Sequence, residues 1–457
     1  MNEDLPANAT ETRLPPGSIS ATIKMFAGFV SGGSRERKKV DKVFKRFGPL
    51  VTTRLPSLGN VVFVLDPAHI RSMVSAPAGS LVSGRGNAVL GFLYGRTSMF
   101  LVDGAPHHRL RRLLVPPFRN KDTLAEYGRV ITRIANETLD EMPVGRPFAL
   151  LPVLRHGMLE IILRVVFGVT DESRLAPFRD AFTELLDIST SRSTGLRFAL
   201  RRIVSMKKWQ RLQNTLEVSN ALIYSEIERR RNDPETENQD DILALLLRTR
   251  TEEGDFLSDI EIRDQLVTLL IAGHETTATT LAWALERLLR NPSALACFRA
   301  ELETGAHEYA DAVVSETLRL RPPIPVFSRE VAGDFTLGGY QLPKRTLLVG
   351  HIAYIHQRAD LFDDPQAFRP ERFLGGRQEL GVYAPFGGGL HSCIGNRFAE
   401  LEVRLFLQVM LQRGHFTVPR KADERLHRHA ILNLPARGAR VTLLQRNPAH
   451  YFPGEQE

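Results

Sequence analysis

The sequence predicts a single large domain, mainly α with small β-sheets. Two stretches read as helical: Leu124 to Leu247, broken near Pro143, Gly145, Gly168 and Pro234, and a proline-free run from Ser258 to Arg290. β-rich text is confined to short pieces towards either end. Within 457 residues no Gly/Ser/Pro-rich linker, repeat or low-complexity block marks a boundary. One domain over residues 36–457 is therefore expected, behind a flexible N-terminal arm, residues 1–35, that carries Pro15, Pro16, Gly17, Gly32 and Gly33.

Composition narrows the class further. The only cysteines are Cys297 and Cys393, so no disulfide framework is implied and a reducing compartment fits. Cys297 lies in the apolar run Ala294–Phe298 and is expected in the core. The chain opens Met1-Asn2-Glu3-Asp4, acidic where a signal peptide is basic. Met25–Val30 is far shorter than the about 20 residues a membrane span needs. A cytoplasmic protein without a transmembrane anchor is expected. The net charge of +8 suits solubility or an acidic docking partner. No basic stripe with interleaved aromatics points to nucleic acid.

In chain order, Val51–Leu55 and Asn60–Leu65 form a hairpin pattern around Pro56-Ser57-Leu58-Gly59, and a helix begins near Pro67. Ser83–Gly95 is studded with glycine, which predicts mobility. Asp103-Gly104 makes a turn, and a helix follows from Pro106 or His107. His107 and Arg111, four apart, share one face of it. Around the Ser/Thr/Gly text at 189–195, basic residues gather at Arg192, Arg197, Arg201, Arg202, Lys207, Lys208 and Arg211. That run is a solvated face, or it attracts an anionic membrane surface, an acidic carrier protein or a carboxylated lipophile. Peripheral membrane contact is thus left open.

Ser258-Asp259-Ile260-Glu261 is a capping box, and Asn291-Pro292 ends the helix it starts, about 48 Å further on. In its middle stands Ala272-Gly273-His274-Glu275-Thr276-Thr277. Glycine there costs about 1 kcal/mol relative to alanine, and hydroxyls that bond back to the preceding turn bend helices. A helix so weakened makes room for a small ligand. A hydroxyl and a carboxyl, Thr276 and Glu275, can relay protons; His274 is given no role.

Val314–Arg321 ends a helix at Pro322-Pro323, with Glu316 and Arg319 able to pair. Extended chain follows from Ile324. Strands are expected at 335–337 and 346–349, and a final hairpin is expected to pair Ala430–Pro435 with Arg440–Leu443, its tip near Ile431 and Leu432.

The most informative stretch is Phe386-Gly387-Gly388-Gly389-Leu390-His391-Ser392-Cys393-Ile394-Gly395, leading into a helix that stops at Gly414. Its glycines let backbone press against a flat ligand. The cysteine just ahead of a helix N-terminus is favoured as thiolate. It reads as a small buried hydrophobe, as a nucleophile with His391, or as a haem axial ligand with His391 on a propionate.

The pattern Phe-Gly-x-Gly-x-His-x-Cys-x-Gly resembles the cytochrome P-450 superfamily of haem-thiolate monooxygenases, in its soluble, bacterial-type branch. The resemblance covers about residues 40–445, with the Ala-Gly-x-Glu-Thr-Thr, Glu-x-x-Arg and Pro370-Glu371-Arg372-Phe373 segments in order. It implies the P-450 fold, haem b (iron protoporphyrin IX) on Cys393, and O2 as co-substrate. Phe386, Gly387, Gly389, Gly395, Ala272 and Gly273 are then cofactor-binding, and Thr276 with Glu275 catalytic. His107, Arg111, Arg329 and His391 are expected on the propionates. Glu316, Arg319 and Arg372 form a buried structural trio. Leu90, Phe92, Leu93, Ile324, Val326, Phe327, Ile431 and Leu432 are expected along the substrate pocket. Electrons come from NAD(P)H through a separate ferredoxin (or flavodoxin) plus reductase, docking on Arg109, Arg112, Arg397 and Arg404. The implied reaction hydroxylates or epoxidises a lipophilic molecule. A peroxygenase or isomerase on the same fold, and a haem-based sensor without turnover, are the alternatives.

Overall fold

The computed structural model describes residues 13–55, 58–83, 87, 91–190, 206–250, 254–376 and 378–448. The Ser18 hydroxyl accepts the Ala21 amide and starts α1 (Ile19–Ser31), which turns at Gly32 into α2 (Gly33–Phe47). Ala21 and Met25 of α1 are buried with Val40 and Val43 of α2. From Ile19 onward the expected flexible arm is thus packed helix. Gly32 and Gly33, at φ +62° and +58°, form the tight turn between α1 and α2 rather than slack chain.

β1 (Leu50–Leu55) and β2 (Gly59–Val64) pair antiparallel as expected. Then come α3 (Pro67–Val74), β3 (Leu81–Val82), α4 (Gly91–Tyr94), α5 (Gly104–Leu114) and α6 (Lys121–Glu141). β4 (Pro147–Ala149) leads into α7 (Leu150–Val165), α8 (Glu172–Thr190), α9 (Met206–Arg231) and α10 (Ile242–Arg248). Next is α11 (Asp259–Arg290), with the capping box of Ser258 and Glu261 closed in both directions. It is followed by α12 (Pro292–Leu302), α13 (Glu308–Leu320), β5 (Phe327–Val331), β6 (Thr336–Leu337), β7 (Tyr340–Gln341), β8 (Leu347–Gly350) and α14 (Ile352–Ile355). The chain ends through α15 (Asn396–Arg413), β9 (Gly414–Thr417), β10 (Leu426–His429), β11 (Leu432–Pro435) and β12 (Arg440–Arg446).

One sheet has the order β1-β2-β8-β5-β3, with β2 and β8 parallel. The main core fills the space among α6, α7, α11 and α15. The final hairpin differs from expectation. β11 pairs with β10, while β12 joins β4 and β9 in a separate sheet. Pro435 has no amide to extend a ladder, and Gly438 and Ala439, at φ +69° and +51°, turn the chain away. Ile431 still lies in the turn between β10 and β11, and Leu432 starts β11. Cys297 is also misplaced by the sequence: α12 buries Ala294 and Phe298, leaving Cys297 exposed on its outer face.

The N-terminal half of α11 is clamped to the segment after α4. Asp264 accepts from the amide and hydroxyl of Thr97, at 3.0 and 2.7 Å. Gln265 accepts the Met99 amide and donates to the Thr97 carbonyl, both at 2.8 Å. Ser98 and Thr268 share a hydrogen bond of 2.7 Å. Gly95 makes this contact possible: at φ +88°, a Cβ on it would lie 1.9 Å from Asp264 Oδ1. Gly95→Ala is expected to lower stability by about 1–3 kcal/mol, read as a urea midpoint. Gly48→Ala, at φ +85° with open space around the new methyl, carries only the backbone part of that cost and serves as the comparison.

Candidate active site

α11 is buried along most of its length between Ile262 and Leu288. Within that stretch Ala272 is exposed, and Leu269, Ile271, Gly273 and Thr276 are half-buried. Leu269, Ala272, Gly273 and Thr276 fall at i, i+3, i+4 and i+7, one face of the helix, with Ile271 off it. An exposed residue in the middle of a buried helix faces an internal hollow. Cys393 is exposed by surface area yet lies deep enough for burial to be the largest influence on its thiol. Both observations hold together if its sulfur also faces an internal hollow. The two elements are neighbours, since α15, which follows the cysteine loop, packs on α11.

On the open strip, Thr276 Oγ1 donates to the Ala272 carbonyl at 2.7 Å, the expected back-bond. Gly273 has a different use from the one expected. A Cβ there would lie 3.2 Å from Ile162 Cδ1, so its bareness admits α7. Glu275 is buried, and Arg155 of α7 reaches its Oε1 at 2.5 Å. Burial pushes the Glu275 carboxyl up from its ordinary value, with Arg155 opposing. His274 donates from Nε2 to the Arg155 carbonyl at 2.9 Å, and burial pushes it down to about 4, so its ring is neutral. Sequence reasoning missed Arg155. Its signal was a cation within the apolar text Leu150–Leu163.

The cysteine loop closes on itself: the Cys393 amide donates to the Phe386 carbonyl at 3.0 Å. Gly387, at φ +66°, and Gly395 have open space where a Cβ would stand. Gly389 does not; its Cβ would meet the Val74 carbonyl oxygen at 2.1 Å, so that glycine lets the loop press on the end of α3. The Cys393 thiol is pushed up by burial, while the Gly395 amide and Arg111 favour its thiolate.

His107, Arg111, Arg329 and His391 come together beside this loop. The His107 and His391 rings lie 4.0 Å apart. Arg111 donates to the carbonyl and hydroxyl of Ser392 at 2.8 and 2.7 Å. Arg329 is buried and donates to the Gly388 carbonyl at 3.4 Å. Asp103 Oδ1 lies 3.3 Å from His391 Nε2, and Ser83 Oγ lies 2.8 Å from Nδ1. Burial, then Arg111, pushes His107 down to about 4. Burial, then His107 and Arg329, pushes His391 down to about 3. The buried Nδ1 of His107 has no hydrogen-bond partner. Clustered cationic donors with an unmet polar atom, beside a thiol, fit a ligand that carries carboxylates and a thiophilic metal.

Glu316 and Arg319 are wholly buried and doubly bonded, at 2.6 and 2.7 Å, with Arg372 Nε 3.5 Å from Glu316. Among the expected pocket residues, Phe92, Ile324, Val326 and Phe327 are half-buried. Leu93 and Leu432 are in the main core, and Ile431 is exposed. Leu90 and residues 191–205 of the basic segment lie outside the described residues. Two of the expected docking arginines are engaged within the chain: Arg109 with Glu261 at 2.5 Å, and Arg404 with Asp311 at 3.2 Å.

Residues 15–442 match the family profile Cytochrome P450. Cytochrome P450 137 of Mycobacterium tuberculosis is 39% identical over 429 residues, 93% of this chain and 89% of the relative. Cytochrome P450 135B1 of Mycobacterium bovis is 36% identical over 439 residues, 94% and 91% of the two chains. The chain belongs to the cytochrome P450 family. The solved structure of cyanobacterial CYP120A1 with retinoic acid bound superposes with a TM-score of 0.81 at 25% identity, covering 95% of this chain and 99% of that one. This P450 is therefore a haem-thiolate monooxygenase of the general type, using haem iron and O2. Among the described residues no helix is long and apolar enough to cross a membrane.

One buried acid of this P450 was not foreseen. Glu402 of α15 is buried, and burial pushes it up to about 8 against a hydrogen bond with Thr277. A carboxyl raised on folding contributes stability that is complete below its unfolded value and lost as pH rises through the folded one. Stability is therefore expected to fall between about pH 4.5 and 8, and Glu402→Gln to flatten that fall in urea titrations at several pH values. For the buried pair, Arg319→Met strands Glu316 and is expected to cost about 3–5 kcal/mol by the same measurement.

Proposed function

We propose that Cys393 would hold the iron of haem b in this P450, with His107, Arg111, Arg329 and His391 holding its propionates. In this reading Phe386, Gly387 and Gly395 of the cysteine loop, and the Ala272–Thr276 strip of α11, would line the haem site. The observation that carries it is the cluster of His107, Arg111, Arg329 and His391 beside the Cys393 loop, whose following helix packs on α11 where Ala272 is exposed. When bound, the haem supplies O2 activation and oxygen transfer. Its substrate is a lipophilic molecule that is hydroxylated or epoxidised, with electrons from NAD(P)H through a ferredoxin or flavodoxin and its reductase, in the cytoplasm.

The chain's own contribution is to bind, to exclude water and to deliver protons. Thr276 Oγ1 spends its proton on the Ala272 carbonyl, which leaves its lone pairs free to accept. Glu275 holds a proton more readily than an exposed carboxyl, because burial outweighs Arg155. The ion pair with Arg155 keeps that carboxyl in reserve, so proton supply requires a change in its contact. An acidic partner would dock on Arg109, Arg112, Arg397 and Arg404, of which Arg109 and Arg404 also pair with Glu261 and Asp311 within the chain.

The first test is the CO difference spectrum of the reduced protein. A Soret band shifted as thiolate ligation requires supports the reading; the band of a histidine- or thiol-ligated haem overturns it. Product formation from a lipophile panel should depend on NAD(P)H and the partner proteins, whereas turnover on peroxide alone would favour the peroxygenase. Thr276→Ala is expected to lower product formation by about 10²–10⁴-fold, a general acid–base contribution, while NAD(P)H consumption continues. Equal loss of both rates would remove Thr276 from proton delivery.

A further inference from the structure

His356 is wholly buried and has no part in the site as described above. It stands just after α14, and its backbone carbonyl accepts from Arg319 Nη1 at 2.8 Å. Its ring bridges to the cysteine side as well: Nε2 accepts the Ala384 amide at 3.1 Å, while the imidazole also lies against the Leu318 and Arg319 backbone. Ala384 opens the cysteine loop. Its carbonyl accepts from the Gly387 amide at 3.0 Å, and the Phe386 carbonyl accepts from Cys393 at 3.0 Å. The hydrogen bonds therefore run, with short covalent steps between them, from the buried Glu316–Arg319 pair to the amide of Cys393. The Tyr383 ring stacks on the imidazole, with centroids 5.3 Å apart and planes 26° apart, and its hydroxyl donates to the Ser315 carbonyl at 3.0 Å.

We propose that His356 is a positioning residue for the cysteine loop, its imidazole Nε2 transmitting the fixed place of the Glu316–Arg319 pair to the backbone that carries Cys393. The inference rests on Cys393 being the iron ligand. Three features favour imidazole here. An acceptor is needed that can meet a backbone amide in a place without water. It must be neutral, since Arg319 is close by, and burial followed by Arg319 pushes His356 down to about 3. It must also be flat, to lie against Tyr383. A leucine fills similar space but leaves the Ala384 amide buried and unpaired, which is the costly way to lose a hydrogen bond.

The test compares His356→Leu with His356→Gln, which retains an acceptor, in the haem-loaded protein. Two readouts are taken: amide hydrogen exchange across 384–393 against 262–288, and the thiolate share of the reduced CO spectrum. For His356→Leu, exchange in 384–393 is expected to quicken roughly tenfold, the scale of one buried unpaired donor, with 262–288 unchanged and part of the thiolate band lost. His356→Gln should recover most of both. A leucine variant with unmodified exchange and an intact thiolate band overturns the proposal. If the unmodified protein lacks the thiolate band, the ligand reading of Cys393 fails instead, and the exchange comparison still decides His356. Should His356→Leu not fold, native-state exchange of the unmodified protein in low denaturant decides. Opening of Ala384 together with 316–320 supports the link, and earlier, independent opening overturns it.

Discussion

Burial of α11 is the constraint on which the rest of the molecule depends. A polar side chain inside a protein costs free energy unless it is hydrogen-bonded, and this helix carries many. Some are met within the helix, as Thr276 and Thr280 are, and others by distant parts of the chain. Arg263 reaches Asn220 of α9, and Asp264 and Gln265 hold Thr97 and Met99. His274 and Glu275 take Arg155 of α7. Trp283 donates to the Asn433 carbonyl of β11. Satisfying one helix thereby fixes the segment after α4, the helix α7 and the β10–β11 hairpin around it.

The strip that remains open is the consequence. Among the described residues, Ala272 is exposed and Thr276 half-buried, whereas the flanking His274, Glu275 and Thr277 are buried. Gly273 allows α7 to come near on one side, and Thr277 meets Glu402 of α15 on another. The cysteine loop is held by a different logic. It has little side-chain bulk to pack, so backbone contacts place it: Gly389 against Val74, Arg329 on the Gly388 carbonyl, Arg111 on Ser392. Helix packing thus places α11, and the buried Arg329 and half-buried Arg111 gripping carbonyls place the cysteine loop.

Much of this was legible because particular residue types have few other uses. The capping box at Ser258, and Glu316 three residues before Arg319, each specify a local geometry, and each occurs as read. What was illegible depends on distant parts of the chain. Arg155 is an ordinary cation until Glu275 is placed beside it. Gly389 and Gly273 looked like room for a ligand, but a missing Cβ does not say which neighbour exploits it. The β10–β11 pairing was misread because strand text names a partner only through its turn, and Ala430, at φ +51°, is not a residue that advertises one. The amphipathic α1 was taken for slack because its glycines stand at the turn, where punctuation and disorder look alike.

The electrostatics of the basic cluster carry the argument a step further. With His107 at about 4 and His391 at about 3, both rings are neutral at neutral pH. The charge is left to Arg111 and Arg329, with Asp103 as a counter-charge close to His391. The site therefore offers two guanidinium charges and two neutral rings that can donate or accept according to tautomer. A carboxylate beside either ring opposes the burial that keeps it neutral and raises its proton affinity. Arg111 also favours the thiolate of Cys393 and donates to Ser392 beside it, so it links the two halves of the site.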